Sequence, residues 1–121
     1  MKDQALHMTM LYDFYGDLLT QRQREFYDLY HNEDLSLAEI AENYGITRQG
    51  VRDVIIRAEA ILNDFEEKTG IVARFLRVRS SLDEIQKLVD QAELINRSRY
   101  FDEKVTQLHN EISNQLTSLE D

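Results

Sequence analysis

Nothing constrains this chain more than residues 36–57, SLAEIAENYGITRQGVRDVIIR. Ser36 stands just ahead of an apolar-periodic run, and Glu39 follows three positions later. That is the spacing of a capping box, in which each member bonds the other's backbone amide and starts a helix. The helix must be short, because Gly45 follows its last periodic residue and tolerates the positive φ of a helix end. Thr47 then caps a second helix, which leaves about three residues for the connection, the length found in a helix-turn-helix. Ile40, Ala41 and Tyr44 share one face of the first helix, and Val51, Val54 and Ile55 share one face of the second. Ile46 plugs the angle between them, and Ala41 is small where the two helices cross. The outward face of the second helix carries Arg48, Gln49, Arg52 and Asp53. Such a face is either a solvated surface on a packed helix pair or a reader of nucleic acid, since Arg bridges two acceptors of guanine and Gln two groups of adenine. Gly50, inside this helix, costs about 1 kcal/mol relative to Ala; it either lets a partner's backbone approach or is tolerated by good packing.

A chain of 121 residues with 42% hydrophobic content supports one domain, or one small domain with an extension. With no Pro and 4 Gly it has few breakers, so long helices are expected. The absence of Cys excludes disulfides and thiolate chemistry. MKDQALHMTM has no apolar run suited to a signal peptide, and nothing later approaches ~18 consecutive apolar residues, so no membrane insertion and a cytoplasmic location are expected. The net charge of −9 is unlike the basic footprint of an autonomous nucleic-acid binder. It is unevenly spread. Residues 36–57 balance at three basic against three acidic, residues 71–100 carry six against four, and residues 101–121 carry one against five. Nucleic-acid contact is therefore expected in the first two regions, and the acidic remainder suits docking on basic proteins or ribonucleoproteins.

Along the chain, residues 6–19 read as an amphipathic helix with Leu6, Met10, Leu11, Phe14, Leu18 and Leu19 at helical spacing. Tyr12 and Tyr15 flank that stripe, as core residues or as a platform for bases. Thr20 caps a helix, QRQREFYDLYHNED, with Phe26, Tyr27, Leu29 and Tyr30 inward and a polar loop at residues 31–34. Leu35 is placed as a hydrophobic staple. The second helix of the motif continues through Ala58, Ile61, Leu62 and Phe65 to Gly70, a helix of ~48–68 against an average of 11–12 residues. Its acidic far half, with Glu59, Asp64, Glu66 and Glu67, is expected to pack on the domain rather than lie along phosphates.

After Gly70, the residues Ile71, Phe75, Val78, Leu82, Ile85, Val89 and Ala92 step by four and three, a coiled-coil seam pattern with Arg74, Arg77 and Arg79 beside it. Ser81 with Glu84 makes a capping box that would break the helix near Ser80, whereas the heptad suits one long helix; the sequence leaves both open. A last helix carries Phe101, Val105, Leu108, Ile112, Leu116 and Leu119. These stripes must be covered, by the N-terminal helices or by a second copy, and a homodimer is expected.

Enzymatic chemistry is not expected. The glycines stand singly at 16, 45, 50 and 70, so no phosphate-binding loop is present. His7, His31 and His109 are far apart, with no metal-ligand spacing. No Ser has the context of a nucleophile elbow. No cofactor is implied.

The run LTQRQREFYDLYHNEDLSLAEIAENYGITRQGVRDVIIRAEAILNDFEEKTG resembles the YlxM family of small bacterial helix-turn-helix proteins, over residues ~8–95, with SLAEIAENYGITRQGVRDVIIRAE its most specific part. The same stretch is more distantly similar to DNA-binding region 4 of bacterial sigma factors, where a preceding helix, here Thr20–His31, completes the domain. The resemblance implies an all-α fold, a sigma region 4-like helix-turn-helix bundle over residues 1–70 with a C-terminal helical extension over 71–121; the apolar stripes of that extension, not the resemblance, make it the candidate dimerisation region. The resemblance also implies a regulatory part in the signal recognition particle pathway, through the particle's RNA, its GTPase or that GTPase's receptor. The sigma-like contact surface falls on Thr47, Arg48, Gln49 and Arg52; Arg74, Arg77 and Arg79, in the less acidic segment after the motif, are candidate additional basic contacts read from the charge balance rather than from the resemblance. The alternatives are a DNA-binding transcriptional regulator and a purely protein-binding module.

Overall fold

The computed structural model describes residues 2–120 and is all-α among them, with six helices: α1 (Lys2–Tyr15), α2 (Gln21–Tyr27), α3 (Leu37–Tyr44), α4 (Arg48–Thr69), α5 (Ile71–Ile95) and α6 (Glu103–Glu120). The chain divides into two compact units, Met1–Val72 and Ala73–Asp121.

In the first unit, α1, α2 and α3 each pack on α4. Three N-caps start the helices. Thr20 and Gln23 form a reciprocal capping box at α2, and Ser36 and Glu39 form one at α3 with both hydrogen bonds at 3.1 Å. The Thr47 hydroxyl accepts from the Gly50 amide at 2.9 Å at the start of α4. Gly45 ends α3 with φ +67° and Gly70 ends α4 with φ +62°, conformations that a Cβ makes costly. Phe26, Ile40, Ala41, Val51 and Ile55 form the core of the motif, with Leu29, Leu35, Leu37, Ile46 and Val54 packed around it.

Several expected positions differ. The buried residues of α1 and the turn after it are Met10, Leu11, Tyr15 and Leu19, whereas Leu6, Phe14 and Leu18 are exposed. Leu18 leaves the stripe because α1 ends at Tyr15 and a 3₁₀ turn over Gly16–Leu18 resets the phase. After Tyr27 the helix widens into a π turn, Asp28–Asn32. The extra residue rotates Tyr30 outward, and it packs His31 against Tyr27 and Tyr30 rather than leaving it in a polar loop. His31 Nε2 meets Glu59 Oε1 at 2.9 Å, which ties that turn to the middle of α4. Tyr44 stays on the rim, its ring edge against Phe26 and its hydroxyl donating to Glu25.

Two buried tyrosines lock α1. Tyr27 donates to the Met8 carbonyl at 2.6 Å and stacks on Tyr12, and burial pushes its phenol well above the usual range. Tyr15 donates to Glu66 Oε1 at 2.7 Å, with the Thr69 hydroxyl 2.6 Å away, and burial raises its pKa. Glu66 also accepts from the Val72 amide at 2.9 Å, so this acidic residue joins α1, the end of α4 and the first turn of α5.

The second unit is a helical hairpin. No helix break occurs near Ser80: α5 runs unbroken through it, because neither Gly nor Pro stands between 71 and 95 to free an amide for the Ser81–Glu84 cap. A π turn over Asn96–Tyr100 leads to Phe101, which takes φ +51°. The helices run antiparallel, as three cross-helix pairs and one bond across the turn show. Gln86 donates to Ser113 at 3.0 Å, Asp90 meets His109 at 2.7 Å, Thr106 donates to Glu93 at 2.6 Å, and Asn96 donates to the Asp102 carbonyl at 2.9 Å. The seam between α5 and α6 is therefore largely polar. Glu93 and Asn96 are buried in it with Leu116, while Ile85, Val105, Leu108, Ile112 and Leu119 are exposed. Leu82 and Val89 are half-buried on the seam line of α5, but most of the apolar residues of the two stripes lie beside the seam rather than in it.

Candidate nucleic-acid interface

The candidate surface is built on the first two turns of α4. Its inner side is fixed by Val51, fully buried, and Ile55, nearly so, both locked against Phe26 and Ile40. A helix held that way presents residues 48, 49, 52 and 53 to solvent, and all four are exposed. Arg48 and Arg52 stand one turn apart, about 6 Å along the axis. Neither guanidinium enters an ion pair among the described residues, although Arg24, Lys68 and Arg97 each do. No acidic residue stands in the first turn of α4, where unsatisfied amides and the helix dipole favour an anion.

The other members differ in availability. The Thr47 hydroxyl is committed to its cap. Gln49 donates its amide to Asp53 Oδ1 at 2.9 Å, so it must exchange that partner to read a base. Gly50 faces the turn rather than outward: a Cβ there would lie 3.2 Å from Thr47 Oγ1 and 3.7 Å from Ile46 Cδ1. Its lack of a side chain makes room for the cap and the plug. Arg74, Arg77 and Arg79 are exposed on α5, in the other unit. Tyr15 is buried and Tyr12 stacks on Tyr27, so neither forms a platform for bases.

Sequence reasoning missed one feature. Arg52 borders a shallow concavity of about 190 Å³ lined by Tyr30, Leu37, Ile55, Ile56 and Glu59. It exists because the π turn brings Tyr30 out beside α4, where the exposed Ile56 follows Arg52 by one turn. The signal available was Ile56 itself, an apolar residue on the arginine side of the helix.

No group of three or more His, Asp or Glu side chains is placed to hold a metal among the described residues, and no helix among them is long and apolar enough to cross a membrane.

Residues 2–101 match the sequence model of the family described as "Putative helix-turn-helix protein, YlxM / p13 like" (UPF0122). The chain is 44% identical over 119 residues to a UPF0122 protein of Thermoanaerobacter sp. (strain X514), covering 98% of each chain. It is 51% identical over 83 residues to a UPF0122 protein of Desulforamulus reducens, covering 69% of this chain and 71% of that one. To a UPF0122 protein of Symbiobacterium thermophilum it is 47% identical over 94 residues, 78% of this chain and 87% of the relative.

Proposed function

Because the chain belongs to the YlxM / p13-like helix-turn-helix family, we propose that it is a non-catalytic regulatory protein that binds nucleic acid through the start of α4. Arg48 and Arg52 neutralise neighbouring phosphates, Gln49 supplies an adaptable polar contact, and Thr47 holds the helix end in register. The observation that carries this reading is the pair of exposed arginines without ion pairs, one turn apart, on a helix whose other face is locked in the core. The resemblance to a family whose genes lie beside those of the signal recognition particle GTPase and its receptor supports that particle's RNA or GTPase, or its receptor, as the target. The charge distribution supports a structured ribonucleoprotein over naked duplex. Residues 1–72 carry seven basic against fourteen acidic side chains, so long-range attraction to a bare polyanion is weak and contact must be local.

The test is to isolate the tagged protein from its native cells at moderate salt and identify what accompanies it, beside an Arg48→Ala, Arg52→Ala double variant. The reading predicts particle RNA or GTPase with the parent chain and its loss with the variant. Discrete chromosomal fragments without particle components would make the protein a DNA-binding regulator instead. The GTPase alone, bound equally by both chains, would make it a protein-binding module.

A further inference from the structure

The hairpin of α5 and α6 is closed by the wrong residues for a unit that stands alone. Its inner seam holds Gln86, Glu93 and Asn96 against Ser113 and Thr106, with Asp90 reaching His109 from the edge and Leu82, Val89 and Leu116 as its apolar members. Such pairs contribute little net stability in place of apolar burial. Exposed apolar residues lie one position earlier on each helix. Ile85, Leu88 and Ile95 precede the seam-facing Gln86, Val89 and Asn96, and Val105, Leu108 and Ile112 precede the seam-facing Thr106, His109 and Ser113. One position is about 100° of rotation. In two antiparallel right-handed helices, an offset of the same sign turns both stripes to the same side of the hairpin. Ala92, Ile95, Tyr100 and Val105 line one concavity together with the polar Asn96 and Asp102, so residues of both stripes meet at that side.

With Tyr100 and Leu119 at its ends, this side carries eight large apolar or aromatic residues that are 37–72% exposed, where a monomer scatters such residues singly. A standard interface takes ~800 Å² from each partner around an apolar centre, which a row of this length supplies. Charge separates a second copy from other occupants. The second unit carries seven basic against nine acidic residues, nearly balanced, whereas the first carries almost all of the net −9. Two copies can therefore meet through the hairpin with little repulsion. A flat two-helix face with the same heptad spacing on both helices is self-complementary under a two-fold axis, and two such faces close into a four-helix bundle.

We propose that the apolar side of the α5–α6 hairpin is a homodimer interface, on which a second copy of this chain packs its own hairpin to form a four-helix bundle. The inference stands independently of the nucleic-acid reading.

Sedimentation equilibrium on the full chain tests it. The parent chain is expected to be a dimer at ~10 µM, and an Ile85→Lys, Leu108→Glu variant to associate roughly 100-fold more weakly. Far-UV circular dichroism checks that the variant keeps its helices. A second measurement does not depend on the variant folding. The chain has no Cys, so Ile112→Cys introduces a single thiol on the proposed face, and Asn114→Cys places one outside the apolar stripe. Mild oxidation should cross-link the first quickly and the second slowly. A parent chain that is monomeric at ~100 µM, or thiols that cross-link at equal rates, would overturn the proposal.

Discussion

Gly45 is the hinge of the motif, and replacing it separates two kinds of strain. The residue takes φ +67°, yet a Cβ built there would meet nothing within 4 Å. Gly45→Ala therefore brings no clash with neighbours. What it brings is the left-handed penalty of an L-residue, about 1–2 kcal/mol, reduced by a few tenths through the stiffer unfolded chain. A net loss of ~1 kcal/mol is expected. Gly45→Asn is larger but tolerates the left-handed region, so it should lose less than half as much. Near-UV circular dichroism in urea is the assay, because the chain has no Trp and five of its six tyrosines lie in the first unit. With a urea slope of ~1–3 kcal/mol per M, Gly45→Ala should lower the midpoint by roughly 0.3–1 M. If Asn is as damaging as Ala, space rather than φ governs the position and the reasoning fails.

Tyr15→Phe removes the donor to Glu66 and the partner of Thr69, and should destabilise the first unit by about 1–2 kcal/mol, read as a lower melting midpoint. Ala41→Leu should cost about 1–3 kcal/mol by overpacking, since Ala41 lies buried among Phe26, Ile40 and Val51; unchanged stability would show that the crossing is loose. The hairpin should be most stable in mildly acidic solution. Hydrogen bonds from His109 to Asp90 and from Thr106 to Glu93 hold both carboxyls below their ordinary values of 3.8 and 4.5, so their contribution is present above those values and fades as pH falls through the depressed ones. The bond to Asp90 raises His109 above 6.5, so its contribution is full below 6.5 and is lost as pH rises through the raised value. Melting of the helices followed from pH 3 to 9 should give a plateau near pH ~5–6.5, and His109→Gln should flatten its alkaline arm and weaken the Asp90 share of its acid arm, leaving the Glu93 share.

Local chemistry was the legible part of the fold. Ser36 with Glu39, Thr20, Thr47, Gly45 and Gly70 act through bonds within a few residues, so their spacing alone announces the element ends. Periodicity tells which residues share a face but not what that face meets. Leu6 and Phe14 sit in the stripe of α1 yet outside its core, and Tyr15, read as a flank, is buried because its hydroxyl finds Glu66 fifty-one positions away. The π turn after Tyr27 has no sequence signature here, so the outward turn of Tyr30 could not be read. Phe101 adopts a left-handed conformation that sequence reasoning reserves for Gly or Asn. At the candidate interface the outward positions of Arg48, Gln49 and Arg52 were legible from the α4 stripe. The grip of Asp53 on Gln49 was not, because an i,i+4 pair competes with a ligand only once rotamers are known.

The central claim rests on Arg48 and Arg52, and the slope of binding against salt measures their part most directly. Fluorescence anisotropy of labelled signal recognition particle RNA, titrated with the parent chain and with Arg48→Ala, Arg52→Ala from ~50 to 200 mM salt, gives the number of phosphates neutralised. The account predicts that the variant binds more weakly at every salt concentration and that its log–log slope falls by about 1.5–2, the loss of two phosphate contacts. Equal affinity and equal slope, with both proteins equally helical, would contradict it and move the binding surface away from α4.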